Sequence, residues 1–239
     1  MDANLNALIP DENGRTALSI VIEKNNFEML GVIYRHRNEN EIWDRCEALF
    51  LAVQYGKPEL FEWIRNRGVS YNCSNYRGPL IIYAVKQRQH AILAKIVDLS
   101  DIVTLDARGT RNARKPDTKL NVFGERGKTA LMEAAINSDW RSFDLLFDAG
   151  ASVDIYGRQT MGVGPMTHEQ PPSHFVLLEL VRVGNRDYAR KVLERSTQTV
   201  NLVGSGNKTP WEHAKAKGDH EMMKLLEEFG GGDRTCSIM

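Results

Sequence analysis

Four residues at the end of the sequence, Cys236-Ser237-Ile238-Met239, carry its most specific chemistry. A thiol fourth from the end, an aliphatic Ile238 and a final Met fit the box on which a farnesyl group is attached to cysteine. Gly230-Gly231-Gly232-Asp233 ahead of it reads as a flexible spacer, so 231–239 is expected to be a free tail. One lipid gives only marginal membrane binding, and neither a polybasic run nor a second cysteine lies nearby to reinforce it. The box therefore implies a prenyltransferase as one partner, and a cytosolic protein with a reversible, membrane-attached pool through Cys236.

Other groupings with chemical potential fail on spacing. Gly127-Lys128-Thr129 suggests a phosphate-binding loop, but that loop needs a glycine five residues before Gly127, where Val122 stands. His168-Glu169 is followed by Gln170, Pro171 and Pro172, which supply no second histidine and bar the helix a zinc protease needs. His168 and His174 have no third metal ligand in view. Cys46, Cys73 and Cys236 are an odd set without a C-x-x-C pair, which argues against a disulfide framework or zinc site and suits a reducing cytosol. No nucleophile stands beside a base, so no catalytic residue, metal or cofactor is expected.

Composition narrows the class further. The 239 residues are 42% hydrophobic and 26% charged, enough for a substantial core. Lys plus Arg (31) equals Asp plus Glu (31), which gives no general pull toward nucleic acid. The start, MDANLNALIPDENG, has no signal-peptide pattern, and no apolar run approaches the roughly 18 residues of a membrane span. A soluble, intracellular monomer is expected.

The elements that must carry these residues are set by an internal repeat. GKTALMEAAINSDWRSFDLLFDAGASVD from Gly127 and NKTPWEHAKAKGDHEMMKLLEEFG from Asn207 each read as turn, short helix, turn, second helix. Extending that register gives six units. A first apolar position falls at Leu18, Leu49, Ile81, Leu131, Leu177 and Trp211, and three residues on stand Val21, Ala52, Ala84, Ala134, Leu180 and Ala214. Twelve residues further come Ile33, Ile64, Ile96, Leu146, Val192 and Leu226, all aliphatic. Small residues in the second column suit a close helix pair. Thr at the head of a first helix supplies a side-chain cap, and Gly56, Gly184 and Gly218 fall between helices, where positive φ is easily accommodated.

Thr209-Pro210-Trp211-Glu212-His213-Ala214 and Thr129-Ala130-Leu131-Met132-Glu133-Ala134 resemble the T-P-L-H-x-A signature of the ankyrin repeat, a unit of about 33 residues. The resemblance implies an all-α ankyrin-repeat solenoid of about six helix-pair repeats over 1–230, near 7–38, 39–71, 72–120, 121–170, 171–203 and 204–230. Signature positions are spaced 31, 32, 50, 46 and 34 residues apart, so two long insertions sit at the finger turns between repeats. The first, near 101–120, is basic (Arg108, Arg111, Arg114, Lys115, Lys119), and the second, near 156–170, is rich in Gly and Pro.

The same resemblance implies a protein partner on the concave face, held by the finger turns and the outer ends of the first helices. It places Trp43, Asp44, Tyr76, Arg126 and Lys128 on fingers, and Tyr55, Lys86, Gln87, Ile136 and Arg182 at first-helix ends. Trp63, Trp140 and Trp211 fall in interior columns. Trp43 either joins Tyr55 and Tyr76 in an aromatic binding stripe or covers the joint between the first two repeats. A small repeat array ending in a prenylation box looks like the effectors that intracellular bacteria inject into host cells; a eukaryotic cytosolic adaptor fits the same residues. The reading is thus a non-enzymatic, membrane-tethered interaction module. Its alternative is an enzyme whose site is built from the insertions 101–120 and 156–170.

After expression in eukaryotic cells, mass spectrometry of the C-terminal peptide should find Cys236 farnesylated, and Cys236→Ser should empty the membrane fraction. An unmodified peptide still ending in Met239, with identical fractionation of both proteins, would show the box to be idle.

Overall fold

The computed structural model of the chain describes residues 15–35, 42–69, 73–75, 77–100, 120–124, 127–157 and 174–233. They divide into two compact units, Met1–Leu99 and Ser100–Met239. Among the described residues each unit holds three helix pairs.

In the first unit the pairs are α1 (Ala17–Glu23) with α2 (Phe27–Arg35), α3 (Ile42–Gln54) with α4 (Pro58–Arg65), and α5 (Leu80–Lys86) with α6 (His90–Ser100). A two-residue antiparallel ribbon, β1 (Ser74–Asn75) against β2 (Gly78–Pro79), forms the finger ahead of α5. In the second unit they are α7 (Ala130–Ile136) with α8 (Trp140–Asp148), α9 (Val176–Val183) with α10 (Arg186–Arg195), and α11 (Pro210–Lys217) with α12 (His220–Glu228). There β3 (Tyr156–Gly157) pairs with β4 (His174–Phe175) at the base of the second insertion. First helices pack on first helices, α1 on α3 on α5 and α7 on α9 on α11.

All three apolar columns are interior: every one of their residues, from Leu18 to Trp211, Val21 to Ala214 and Ile33 to Leu226, is buried. Burying a Leu or Ile side chain is worth about 1.5–3 kcal/mol, and within each unit neighbouring first helices are in contact, so consecutive repeats of a unit share one core. The caps act as expected. Thr16, Thr129 and Thr209 accept the amides of Ser19, Met132 and Glu212, and the lysine-threonine pair read against a phosphate loop is simply the turn and cap ahead of α7. The turn between helices is left-handed in all six repeats at one position, seven residues past the signature residue. Gly56, Gly184 and Gly218 occupy it at φ of 61°, 83° and 71°, while Asn25, Arg88 and Ser138 adopt φ of 57°, 53° and 51°. A left-handed backbone at Arg88 or Ser138 carries a local strain that glycine avoids. The pair packing keeps it.

Second helices are latched by polar contacts from one repeat to the next. Lys95 Nζ on α6 donates to Glu62 on α4 at 2.7 Å, and Arg190 on α10 reaches Glu228 on α12 at 2.8 Å. Asp144 on α8 takes both the Tyr188 hydroxyl (2.8 Å) and Lys191 Nζ (2.7 Å) from α10. Burial, with Asp144 as hydrogen-bond acceptor, pushes the Tyr188 phenol up to about 12. Trp140 stacks on the Tyr188 ring at 4.5 Å, and Arg67 lies over Trp63 at 3.2 Å. Trp63 and Trp140 are consequently half-buried among the second helices rather than interior; of the three tryptophans read as core, Trp211 alone is buried.

Three further expectations are corrected. Trp43 and Asp44 lie inside α3, which at 13 residues runs well back beyond the usual start of a first helix. The cap position of the other repeats holds Glu47 here, with Asp44, Arg45 and Cys46 before it; no Thr, Pro or Gly stops the helix, so it replaces the finger turn. Secondly, Cys46 and Cys73 form a disulfide, their Cα atoms 5.6 Å apart. The sequence hides this because the bond joins a first helix to the start of the next repeat's finger, a contact that spacing does not encode. The cysteine argument for a reducing compartment loses its premise. Thirdly, the glycine run is packed: Gly231 N–H bonds Leu226 O at 2.8 Å, Asn201 Nδ2 donates to Gly230 O, and Asp233 pairs with Lys215 at 2.8 Å. A Cβ on Gly231 would meet Leu226 O at 2.9 Å, so the residue is glycine for closeness rather than flexibility.

Closing a loop of 27 residues with a disulfide stabilises the folded state by about 3–4 kcal/mol on chain-entropy grounds. Dithiothreitol should lower the unfolding free energy of the purified protein by about that amount in urea titrations. Cys46→Ser should show the loss without reductant and no further loss with it; insensitivity of the wild type to reductant would contradict the bond.

Candidate functional site

In the first unit the finger ahead of α5 is pinned. Glu47 on α3 receives Arg77 Nη1 on both carboxylate oxygens, at 2.8 and 2.9 Å, and Asn75 Nδ2 at 3.1 Å, while the disulfide joins the neighbouring Cys46 to Cys73. Glu47 thus occupies a cap position without capping: its helix continues past it and its charge is spent on the next finger. At the end of α5, Lys86 and Gln87 are exposed as the register expects, and Tyr55, one residue past α3, is half-buried. Tyr76 lies outside the described residues.

The second unit places three more of the expected residues along α7 and α9. Lys128 stands half-buried ahead of α7, Ile136 half-buried at its end, and Arg182 half-buried at the end of α9. Arg182 is committed: its Nη1 donates to Glu179 Oε1 at 3.0 Å, and its carbonyl accepts from Lys217 Nζ. Glu179, with 4% of its surface exposed, also meets His174 Nδ1 at 2.7 Å. His174 therefore faces a carboxylate from the finger base; His168, its suggested metal partner, lies outside the described residues, as do Arg126, Cys236 and positions 101–119 and 158–173. Among the described residues no three His, Cys, Asp or Glu side chains converge on a metal-sized site.

One repeat on, the position of Glu179 is taken by His213, whose Nε2 lies 3.1 Å from Ser205 O. Burial holds the His213 imidazole below its ordinary value, and the positive charges of Arg182 and Lys208 act in the same direction against the opposing pulls of Ser205 and Glu179.

Sequence reasoning missed the two most exposed aromatic rings among the described residues. Phe123 (49% exposed) and Tyr156 (43%) sit on successive finger loops, which are joined by the Ser152 N–H donating to Asn121 Oδ1 at 2.9 Å. A signal was present: Leu120-Asn121-Val122-Phe123 and Val153-Asp154-Ile155-Tyr156 share a pattern in which the first residue is buried and the fourth is turned to solvent. The arrangement offers apolar anchors on the fingers beside a charged inner-helix face.

Solved structures share this fold. An ankyrin repeat domain from Acinetobacter baumannii AYE is similar to the chain with a TM-score of 0.65 and 20% identity, covering 90% of this chain and 98% of that one. The ankyrin repeat domain of Bcl-3, described as a unique member of the IkappaB protein family, is similar with a TM-score of 0.67 and 18% identity, covering 92% and 88%. No family model matches the sequence, and no curated protein does. The fold is that of ankyrin-repeat domains.

The lowered folded-state value of His213 has a consequence for stability. The unfolded chain takes up a proton near pH 6.5, above the folded protein, so stability is full above that pH and is lost as pH falls through it. Thermal unfolding between pH 7.5 and 5.5 should show the midpoint dropping, and His213→Gln should flatten the slope. An unchanged slope in the variant would assign the dependence elsewhere.

Proposed function

We propose that this chain is a protein-binding module without catalytic activity, gripping its partner with finger loops and the outer ends of first helices, and tethered to a membrane by a farnesyl group on Cys236. One observation carries the binding role: Phe123 and Tyr156, two large rings about half exposed, stand on adjacent fingers. Paired exposed aromatics are the composition of interface anchors, and stacked repeats provide the extended surface on which such anchors work. Fold alone does not name a partner. A cytosolic protein fits, in a host cell where the chain serves as a bacterial effector.

The tether sets where that surface works. Asp233 is paired with Lys215, and two residues separate it from Cys236, a reach of about 11 Å over three peptide steps at full extension. A lipid there holds the second unit, with its exposed rings, next to the bilayer. Attachment is weak and reversible with a single chain.

Affinity purification from eukaryotic cytosol, with Phe123→Ala/Tyr156→Ala beside the wild type, tests the binding role. Proteins retained by the wild type should bind the double variant about 30-fold more weakly, the equivalent of about 2 kcal/mol for two interface anchors. Retention of the same proteins at equal strength by both would remove these rings from the interface.

A further inference from the structure

Consecutive first helices α7 and α9 present the same three positions with different chemistry. Two residues past the signature position stand Glu133 and Glu179, five past it Ile136 and Arg182, and three before it Lys128 and His174. In the later repeat the carboxylate is satisfied twice from within, by His174 at 2.7 Å and Arg182 at 3.0 Å. In the earlier repeat Ile136 replaces the arginine. Glu133 is 8% exposed, and among the described residues neither Lys128 nor any other side chain pairs with its carboxylate. The other four repeats carry Ile20, Leu51, Tyr83 and His213 at this position, and His213 has Ser205 O beside it. Glu133 is thus the one carboxylate of this column left open.

A carboxylate on a side chain this enclosed, with apolar Ile136 three residues on, is a ready partner for a cation brought by another chain. Resting on the binding role proposed above, we infer that Glu133 is the recognition point for a lysine or arginine side chain of the protein partner. The partner's charge takes the place that Arg182 fills one repeat later, and its methylene stem lies along Ile136. The column already holds a guanidinium against a carboxylate in the next repeat, so the geometry is of a kind this fold supports. Ile136, half-buried, gives the stem an apolar wall. An acidic side chain at the same place meets an unscreened like charge, so the position selects as well as binds.

A displayed library of random 12-residue peptides, selected against the immobilised full chain, tests this. Wild-type selections should enrich peptides with a fixed Lys or Arg. Replacing that residue by norleucine should weaken binding on the order of 30-fold, as breaking a desolvated charge pair does. Glu133→Gln, isosteric and uncharged, should show the same loss and no further loss with the norleucine peptide, the signature of a direct pair. Ile136→Arg should also abolish the preference by supplying the cation from within. Circular dichroism and unfolding midpoints establish that each variant is folded. Enriched peptides that lack a fixed basic residue, or that bind Glu133→Gln as tightly as wild type, overturn the inference while leaving the binding role standing. A library with no enrichment on the wild type overturns both.

Discussion

A pair of helices seven to thirteen residues long has an apolar face too large to leave in water and too small to close upon itself. Every other feature of the molecule answers to that constraint. The face is covered by the neighbouring pair, so Leu131 is buried against the helix of Leu177, and that helix against the one carrying Trp211. Contacts run between neighbours, and the register of three columns has to be kept in each repeat. Between the columns the chain is free to vary, which is why long insertions enter at the fingers while the column residues of the pairs on either side stay buried.

The turn inside each pair shows how strongly the packing rules local preference. The left-handed position seven residues past the signature is reached by glycine in three repeats and by Asn25, Arg88 and Ser138 in the others. Bringing the second helix back onto the first needs that backbone whatever the side chain. The polar latches along the second helices are of another kind. Lys95–Glu62 and Arg190–Glu228 are solvent-facing pairs, of the sort that contributes little to stability. They align repeats that burial already holds.

The two units use their fingers differently. In the first, Glu47 and Cys46 of α3 tie down the hairpin that precedes α5, and the price is the finger that α3 itself would have had. In the second, the fingers carry Phe123 and Tyr156 outward, and on the inner-helix face Glu179 is paired while Glu133 has no side-chain partner among the described residues. A surface that is partly self-satisfied and partly open is what gives a repeat scaffold selectivity, because the open groups are expensive to bury against the wrong chemistry.

The sequence by itself determined the repeat. Column periodicity, the Thr caps and the inter-helix glycines are local or nearly local signals, and burial of every column residue follows from their pattern. It also held the motif of the exposed rings, since LNVF and VDIY share a spacing. What the tertiary structure decided are relations between repeats. Cys46 and Cys73 meet because α3 overruns its finger and the next hairpin folds back on it. Glu179 is satisfied and Glu133 open because side chains three positions on differ, Arg182 against Ile136, and only the helix turn brings them level. The glycine run beyond α12 reads as a spacer and is instead a tight cap on Leu226. Periodicity reports which face of an element is apolar; which polar groups meet across two elements depends on how the backbones approach, and that is fixed only once the pairs are stacked.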